Sequence, residues 1–203
     1  MKTILKGGIV GVLSGIVVIL VSESGKILDR IGVSKSIVEF IGLAGLGIIY
    51  GLVTATFFIK LLTSDSENST KSNIVRFIGW VIFSGISFWV AMFAAMQSII
   101  PLFGGNFGSV SNTSVFTLLV RFAMSGFIGA LILVIGFNLL FKRLSLVNNL
   151  LVCFVGSAVA YLCFRLFNLS SGFFYYILYI SWQTAVTIAL TYGAVNTRRT
   201  VIT

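Results

Sequence analysis

Histidine is absent from the sequence, and only five of its 203 residues are acidic. Without imidazole, the chain cannot form bis-histidine haem, histidine-ligated zinc or copper, or a mechanism with histidine as general base. The acidic residues are Glu23, Asp29, Glu39, Asp65 and Glu67. Only Glu39 adjoins an expected membrane core. The sequence therefore does not provide the acidic residues that paired-carboxylate catalysis or a carboxylate–metal site would require there. We therefore expect no cofactor, no metal and no enzymatic activity.

Charged residues are also scarce. They make up 9% of the chain, hydrophobic residues make up 58%, and the mean hydropathy is +1.09. So few charges cannot cover a water-soluble surface of this size, and a lipid bilayer is the environment that fits. The net charge of +9 comes mostly from basic residues at the ends of apolar runs. Membrane topology explains this placement, so we expect no nucleic-acid partner.

Six apolar runs follow one another along the chain. They cover residues 7–22, 37–61, 77–100, 115–141, 147–167 and 173–195. About 20 apolar residues are needed for a helix to cross a bilayer. The sequence therefore predicts an all-α polytopic membrane helix bundle with about six transmembrane helices, forming a single integral membrane domain over residues 1–203.

The basic residues between the runs predict the orientation. With the N-terminus inside, the inner segments contain Lys2, Lys6, Lys60, Lys71, Arg76, Lys142, Arg143, Arg198 and Arg199. The outer segments contain Lys26, Arg30 and Lys35. Because lysine and arginine concentrate in cytoplasmic loops, both termini are expected on the cytoplasmic side. Between the first two runs, residues 24–36 mix apolar and charged side chains, which fits a short interfacial helix or a solvated loop equally well.

Small residues repeat at four-residue spacing in two runs. Gly7, Gly11 and Gly15 define one face of the first run, and Gly47 and Gly51 lie on a similar face of the second. Such faces allow two helix backbones to approach closely in a membrane. They fit packing within the same bundle; the first face also fits the docking of a partner membrane subunit.

Two arginines lie within apolar runs. Arg121 is about seven residues into the fourth run, and Arg165 is near the end of the fifth. A charge inside a membrane is costly and is a candidate functional group. Glu39 could pair with either arginine, or both arginines could together receive an anionic group from a ligand or lipid. The alternative for each is snorkelling of the side chain to the membrane interface.

The last run contains a polar stripe formed by Tyr176, Tyr179, Gln183, Thr187 and Thr191. The spacings of three and four residues put these side chains on one helix face. Because Gln183 is near the middle of the run, we expect this face to point into the bundle. Hydrogen bonds between helices explain such a stripe, as does a cavity that binds a solute.

The general plan resembles the substrate-binding membrane components of energy-coupling-factor vitamin transporters. Residues 39–53, Glu-Phe-Ile-Gly-Leu-Ala-Gly-Leu-Gly-Ile-Ile-Tyr-Gly-Leu-Val, are similar to the glycine-rich second helix of that family. The sequence lacks the proline usual near this helix, and its first helix has glycines where the family usually has alanines. The resemblance is therefore one of architecture and implies a solute-binding membrane subunit.

We expect a non-catalytic protein of the cell membrane that binds or passes a small solute whose identity is open. Arg121, Tyr179 and Gln183 are the expected lining residues, with Arg121 attracting negative charge and Gln183 fixing orientation; Glu39 and Arg165 are further candidates. The alternative is a structural or accessory subunit of a membrane complex, in which the polar side chains serve only to hold the helices together.

Overall fold

The computed structural model describes residues 1–32, 34–62, 70–96, 115–141, 143–166 and 172–199, with the backbone alone at 24–30, 35–44, 70–71, 95–96, 115–118, 172–175 and 198–199. These residues form six helices and no strands. The helices are α1 (Lys2–Arg30), α2 (Lys35–Leu62), α3 (Thr70–Met96), α4 (Val115–Leu140), α5 (Leu146–Leu166) and α6 (Gly172–Arg199). The predicted all-helical fold class is confirmed.

Five of the helices in the described ranges, α1 to α5, are long and apolar enough to cross a membrane. The tyrosine, glutamine and threonine side chains of α6 lower its hydropathy. It nevertheless runs antiparallel along α1, with Gly7 opposite Thr191, Gly11 opposite Thr184 and Gly15 opposite Ile180. Helix α6 thus lies alongside a helix that is long and apolar enough to cross a membrane. The chain is an integral membrane protein.

Helix α1 is longer than its apolar run. It continues through residues 24–30, and the next helix begins at Lys35. At 1.5 Å per residue its 29 residues extend roughly 43 Å, well beyond a hydrocarbon core of about 30 Å. Gly32 has a φ of +82°, a conformation that glycine adopts without strain and that commonly ends a helix. Residues 24–30 are therefore helical, as a continuation of α1, so the expectation of a solvated loop is wrong for them, and an interfacial position of this helical part stays a prediction.

The six helices close into a ring. Each packs against its neighbours in the chain, α6 packs against α1, and α6 also touches α2 and α4. Successive helices alternate in direction, so one end of the ring holds the α1–α2 turn and Arg121, and the other holds the beginning of α1 and the end of α6. We call these the Arg121 end and the terminal end. In the predicted orientation, the Arg121 end faces outward.

The glycine face of α1 lies against α6. A Cβ built on Gly11 would be 2.6 Å from the Thr184 Cα, and one on Gly15 would be 2.7 Å from the Ile180 Cα. Only glycine allows the two backbones to lie this close. A partner subunit cannot use this face while α6 covers it, so the structure favours packing within the bundle over the docking of a partner there.

Two other helix pairs use glycine in the same way. A Cβ on Gly51 would be 2.7 Å from the Val81 Cα, which joins α2 closely to α3, and Gly47 lies against the same helix. A Cβ on Gly156 of α5 would be 2.8 Å from the Gly126 carbonyl oxygen of α4. Close backbone contacts thus alternate around the ring, at α6–α1, α2–α3 and α4–α5.

Aromatic side chains fill the interior toward the terminal end. The ring of Phe58, which is 0% exposed, lies 5.4 Å from Trp80, 5.1 Å from Phe137 and 6.0 Å from Phe141, measured between ring centroids. These distances and the nearly perpendicular planes of Phe58 with Trp80 and with Phe137 are typical of favourable edge-to-face contacts. We call Phe58, Trp80, Phe137 and Phe141 the aromatic cluster. It packs the terminal end of the ring with apolar side chains from α2, α3 and α4.

Candidate functional site

The polar stripe of α6 lies inside the bundle. Gln183, Thr187 and Thr191 are 0% exposed and Tyr179 is 9% exposed, whereas Tyr176 is only partly buried. The prediction that this face points inward is confirmed for the four buried residues. A hydroxyl or amide in this position must find hydrogen bonds within the protein, because lipid offers none.

Most of these bonds are made within the chain. The Ser14 hydroxyl of α1 donates to Oε1 of Gln183. The Thr187 and Thr191 hydroxyls each donate, at 2.7 Å, to the carbonyl oxygen four residues earlier in α6. Since the Thr187 proton is used in this way, the Tyr50 hydroxyl is the donor in its 3.0 Å bond to Thr187 Oγ1. The stripe therefore ties α6 to both α1 and α2.

The bonds continue from α2 to α3. The Trp80 indole Nε1 donates to Thr54 Oγ1 at 2.8 Å, and the Thr54 hydroxyl donates to the Tyr50 carbonyl oxygen at 2.7 Å. No sequence pattern marked Ser14, Tyr50 or Thr54 as members of this network. Their one sequence signal is the four-residue spacing of Tyr50 and Thr54, which is common to many helical pairs.

Arg121 is buried near the Arg121 end of α4, with 6% of its surface exposed. The adjoining Phe122 forms a small buried cluster with Cys163 of α5, and Ile177 and Leu178 of α6 pack against this cluster.

A Cβ built on Gly129 of α4 would be 3.2 Å from the Trp182 ring of α6. Because α4 and α6 run in the same direction, Arg121 lies about two helical turns from this level toward the Arg121 end, and Gln183 lies beside Trp182. The structure thus buries all three predicted lining residues, on α4 and α6, at different depths in the bundle. Burial inside the ring also argues against Arg121 snorkelling along the lipid surface.

Arg165 and Glu39 have different outcomes. Arg165 is exposed in the last turn of α5. The hypothesis that Arg121 and Arg165 together receive one anionic group is therefore not supported, because one side chain is inside the bundle and the other is at its surface. Glu39 belongs to α2, but its side chain lies outside the described residues, so its pairing with either arginine stays a prediction.

The ring of Phe88 on α3 lies in the bundle interior, among aromatic rings of α2 and α6. Its ring centroid is 6.2 Å from Tyr50, 6.4 Å from Tyr179 and 5.5 Å from Trp182. Aromatic rings from α2, α3 and α6 thus meet at the middle of the ring, and the aromatic cluster continues from there toward the terminal end. Arg121 lies on the Arg121 side of these rings, whereas Gln183 directly follows Trp182 in α6 and lies at their level.

The side chains named here have groups that can bind a polar solute. A guanidinium, an amide and a phenol can attract and orient a polar solute through hydrogen bonds and charge. Within the part of the chain that the structure describes, no three cysteine, aspartate or glutamate side chains lie close enough to hold a metal ion.

Comparison with protein-family models, with curated proteins and with solved structures finds no match to this chain.

Proposed function

We propose that this integral membrane protein binds a small solute in the half of its helix bundle toward the Arg121 end, as a non-catalytic subunit of a transporter in the cell membrane. The observation that carries the proposal is the burial of the charged Arg121 in the same bundle that buries Tyr179 and Gln183. A charge held inside a membrane bundle is expensive and typically serves a substrate or ion pathway. The architectural resemblance to vitamin-transporter components agrees with this function.

The roles of the three residues follow from their chemistry. Arg121 provides a permanent positive charge with donors in a fixed plane, which suits an anionic group. Gln183 can hold a solute in one orientation because its own position is fixed by Ser14. Tyr179 contributes a partly polar ring beside Phe88. Access from the Arg121 end is favoured, because Phe88 and the aromatic cluster fill the opposite direction. Transfer across the membrane then requires these rings to move.

A comparison of two arginine variants tests the proposal. We expect protein purified in mild detergent from its own membranes to retain a small molecule, seen as an added mass by native mass spectrometry. Arg121→Gln should reduce this occupancy by at least about tenfold, since a hydrogen bond to a charged group contributes roughly 1.5–3 kcal/mol. Arg165→Gln removes the same charge from the exposed end of α5 and should leave the occupancy unchanged.

Two results would contradict it. Equal occupancy in wild type and Arg121→Gln would exclude Arg121 from the site. A wild-type protein without any added mass would argue against solute binding altogether, provided that size-exclusion chromatography shows it folded and monodisperse.

The accessory-subunit function is supported by a different observation. Hydrogen bonds from Ser14 to Gln183, from Tyr50 to Thr187 and from Trp80 to Thr54 account for much of the buried polar chemistry without a ligand. A partner would then bind the outer surface of the ring. Native mass spectrometry separates the two functions, since an accessory subunit should leave the membrane with stoichiometric partner chains and no small bound mass.

A further inference from the structure

Trp182 and Gln183, neighbours on α6, each hold a hydrogen-bond donor inside the bundle. Trp182 is 7% exposed and Gln183 is 0% exposed. The indole Nε1 of Trp182 and the amide Nε2 of Gln183 have no hydrogen-bond partner among the described residues. Both atoms are donors only, so what each lacks is an acceptor.

A second tryptophan shows that this is not a general property of indoles in the bundle. Trp80, which is 0% exposed, donates its Nε1 proton to Thr54 at 2.8 Å. Buried polar atoms in proteins are nearly always paired, and one left without a partner loses the hydrogen bonds it made to water. Two adjacent donors without acceptors therefore indicate a group that the chain itself does not provide.

The immediate surroundings of the donors favour a site in the bundle interior. The Trp182 ring contacts Phe88, and Gln183 is held from the other side by Ser14. A Cβ built on Gly156 would lie 3.3 Å from the Trp182 Nε1, so glycine at this position keeps a side chain away from the N–H group. Arg121 adds a buried positive charge nearer the Arg121 end. The two donors thus lie in the bundle interior beside the aromatic carbon of Phe88.

We infer that the solute is a small organic anion with a planar apolar body, whose oxygen atoms accept hydrogen bonds from Trp182 Nε1 and Gln183 Nε2 and whose charge is attracted by Arg121. The inference rests on the proposed function and specifies its substrate class. A carboxylate on an aromatic ring combines these properties in the fewest atoms. A cation would meet a group of the same charge and two donors, and is excluded by the same chemistry.

Three benzene derivatives of similar size test the inference: benzoate, the neutral acceptor benzamide, and the benzylammonium cation. The readout is the temperature at which half of the purified protein is lost from its size-exclusion peak after heating. Benzoate should raise this midpoint most, benzamide less, and benzylammonium not at all. Arg121→Gln should reduce the benzoate shift to that of benzamide.

A matched pair of tryptophan variants isolates the donor. Trp182→Phe keeps the ring and removes the N–H, so it should weaken benzoate binding by roughly three- to tenfold while the midpoint without added compound stays the same or rises. Trp80→Phe removes an indole proton that is already paired, so it should lower the midpoint of the protein without added compound and leave the benzoate shift intact.

Three outcomes would overturn the inference: no shift with any of the three compounds, an equal or larger shift with benzylammonium, or a fall in the Trp182→Phe midpoint as large as that of Trp80→Phe. The last result would mean that the Trp182 donor is already satisfied, for example by a buried water molecule. Retention of a small mass by the wild-type protein in its own membranes would still support the proposed function, so the failure of one is distinguishable from the failure of the other.

Discussion

Gly11→Ala is expected to destabilise the isolated protein by about 1–3 kcal/mol, the usual cost of forcing an extra methyl group into a packed interior. The added Cβ would lie 2.6 Å from the Thr184 Cα and 3.1 Å from the Gln183 carbonyl oxygen. Both are backbone atoms, so no side-chain rotation relieves the contact. Helix α1 must move away from α6, which also weakens the bond between Ser14 and Gln183. Reversible unfolding in a mixed detergent system measures the loss.

Gly85→Ala is the matched control for this prediction. Gly85 is also a buried glycine in a transmembrane helix, but its Cβ would meet only the Ile48 Cγ1, at 3.3 Å. That side chain can shift, and alanine favours a helix over glycine by up to about 1 kcal/mol, so little change or a small gain is expected. If both variants unfold alike, the close α1–α6 contact is not important for stability. If Gly11→Ala instead spares the isolated chain and disrupts only its assembly with another protein, the partner-docking hypothesis is restored.

Phe58→Ala should be the most damaging of the substitutions considered, with a loss of about 3–5 kcal/mol. Phe58 is fully buried, and its ring contacts three other aromatic rings of the aromatic cluster. In a bilayer these packing contacts, rather than exclusion of water, hold helices together, so a cavity here loses them outright. The same unfolding measurement gives the magnitude.

Phe154→Ala provides the comparison. Phe154 is 63% exposed on α5, where lipid chains can fill the space that the ring leaves. We expect a change within about 0.5 kcal/mol, as for other surface positions. A loss at Phe154 equal to that at Phe58 would mean that α5 is covered by another protein at this point, an outcome that would favour the accessory-subunit function.

The two halves of the bundle therefore have different expected sensitivities. Substitutions in the aromatic cluster should act on stability, because this half is packed by apolar contacts. Substitutions at Arg121 and at the Trp182 donor should act on binding, because these are the groups proposed to hold the solute. A solute that enters from the Arg121 end would meet Phe88 as the boundary between these halves.

Periodicity predicted a good part of the site. The spacing of Tyr179, Gln183, Thr187 and Thr191 indicated one inward face, and all four are buried. The spacing predicts this face because an amide near the middle of a helix is costly when it faces lipid, so the side chain points into the bundle. The partners Ser14 and Tyr50 were missed because single hydroxyl residues in apolar helices are ordinary, and only the packing of α1 and α2 against α6 brings them within hydrogen-bond distance.

Residues with the same sequence signal differ in the folded chain. Arg121 and Arg165 both interrupt apolar runs, yet one is buried and the other exposed. Trp80 and Trp182 are both buried tryptophans, yet only Trp80 has an acceptor among the described residues. Local sequence cannot separate such pairs, because the difference depends on which residues of other helices surround each side chain.

The sequence by itself determined the environment, the six helices and the faces along which they pack, because a bilayer requires long apolar helices and glycine spacing marks where backbones can meet. The tertiary structure decided which helices use those faces. It turned the glycines of α1 toward α6, closed the ring, packed aromatic rings into its interior and buried Arg121 and Gln183 there. Those outcomes depend on contacts between residues far apart in the sequence, such as Ser14 and Gln183, which are 169 positions apart, and such contacts are fixed only when the whole ring is packed.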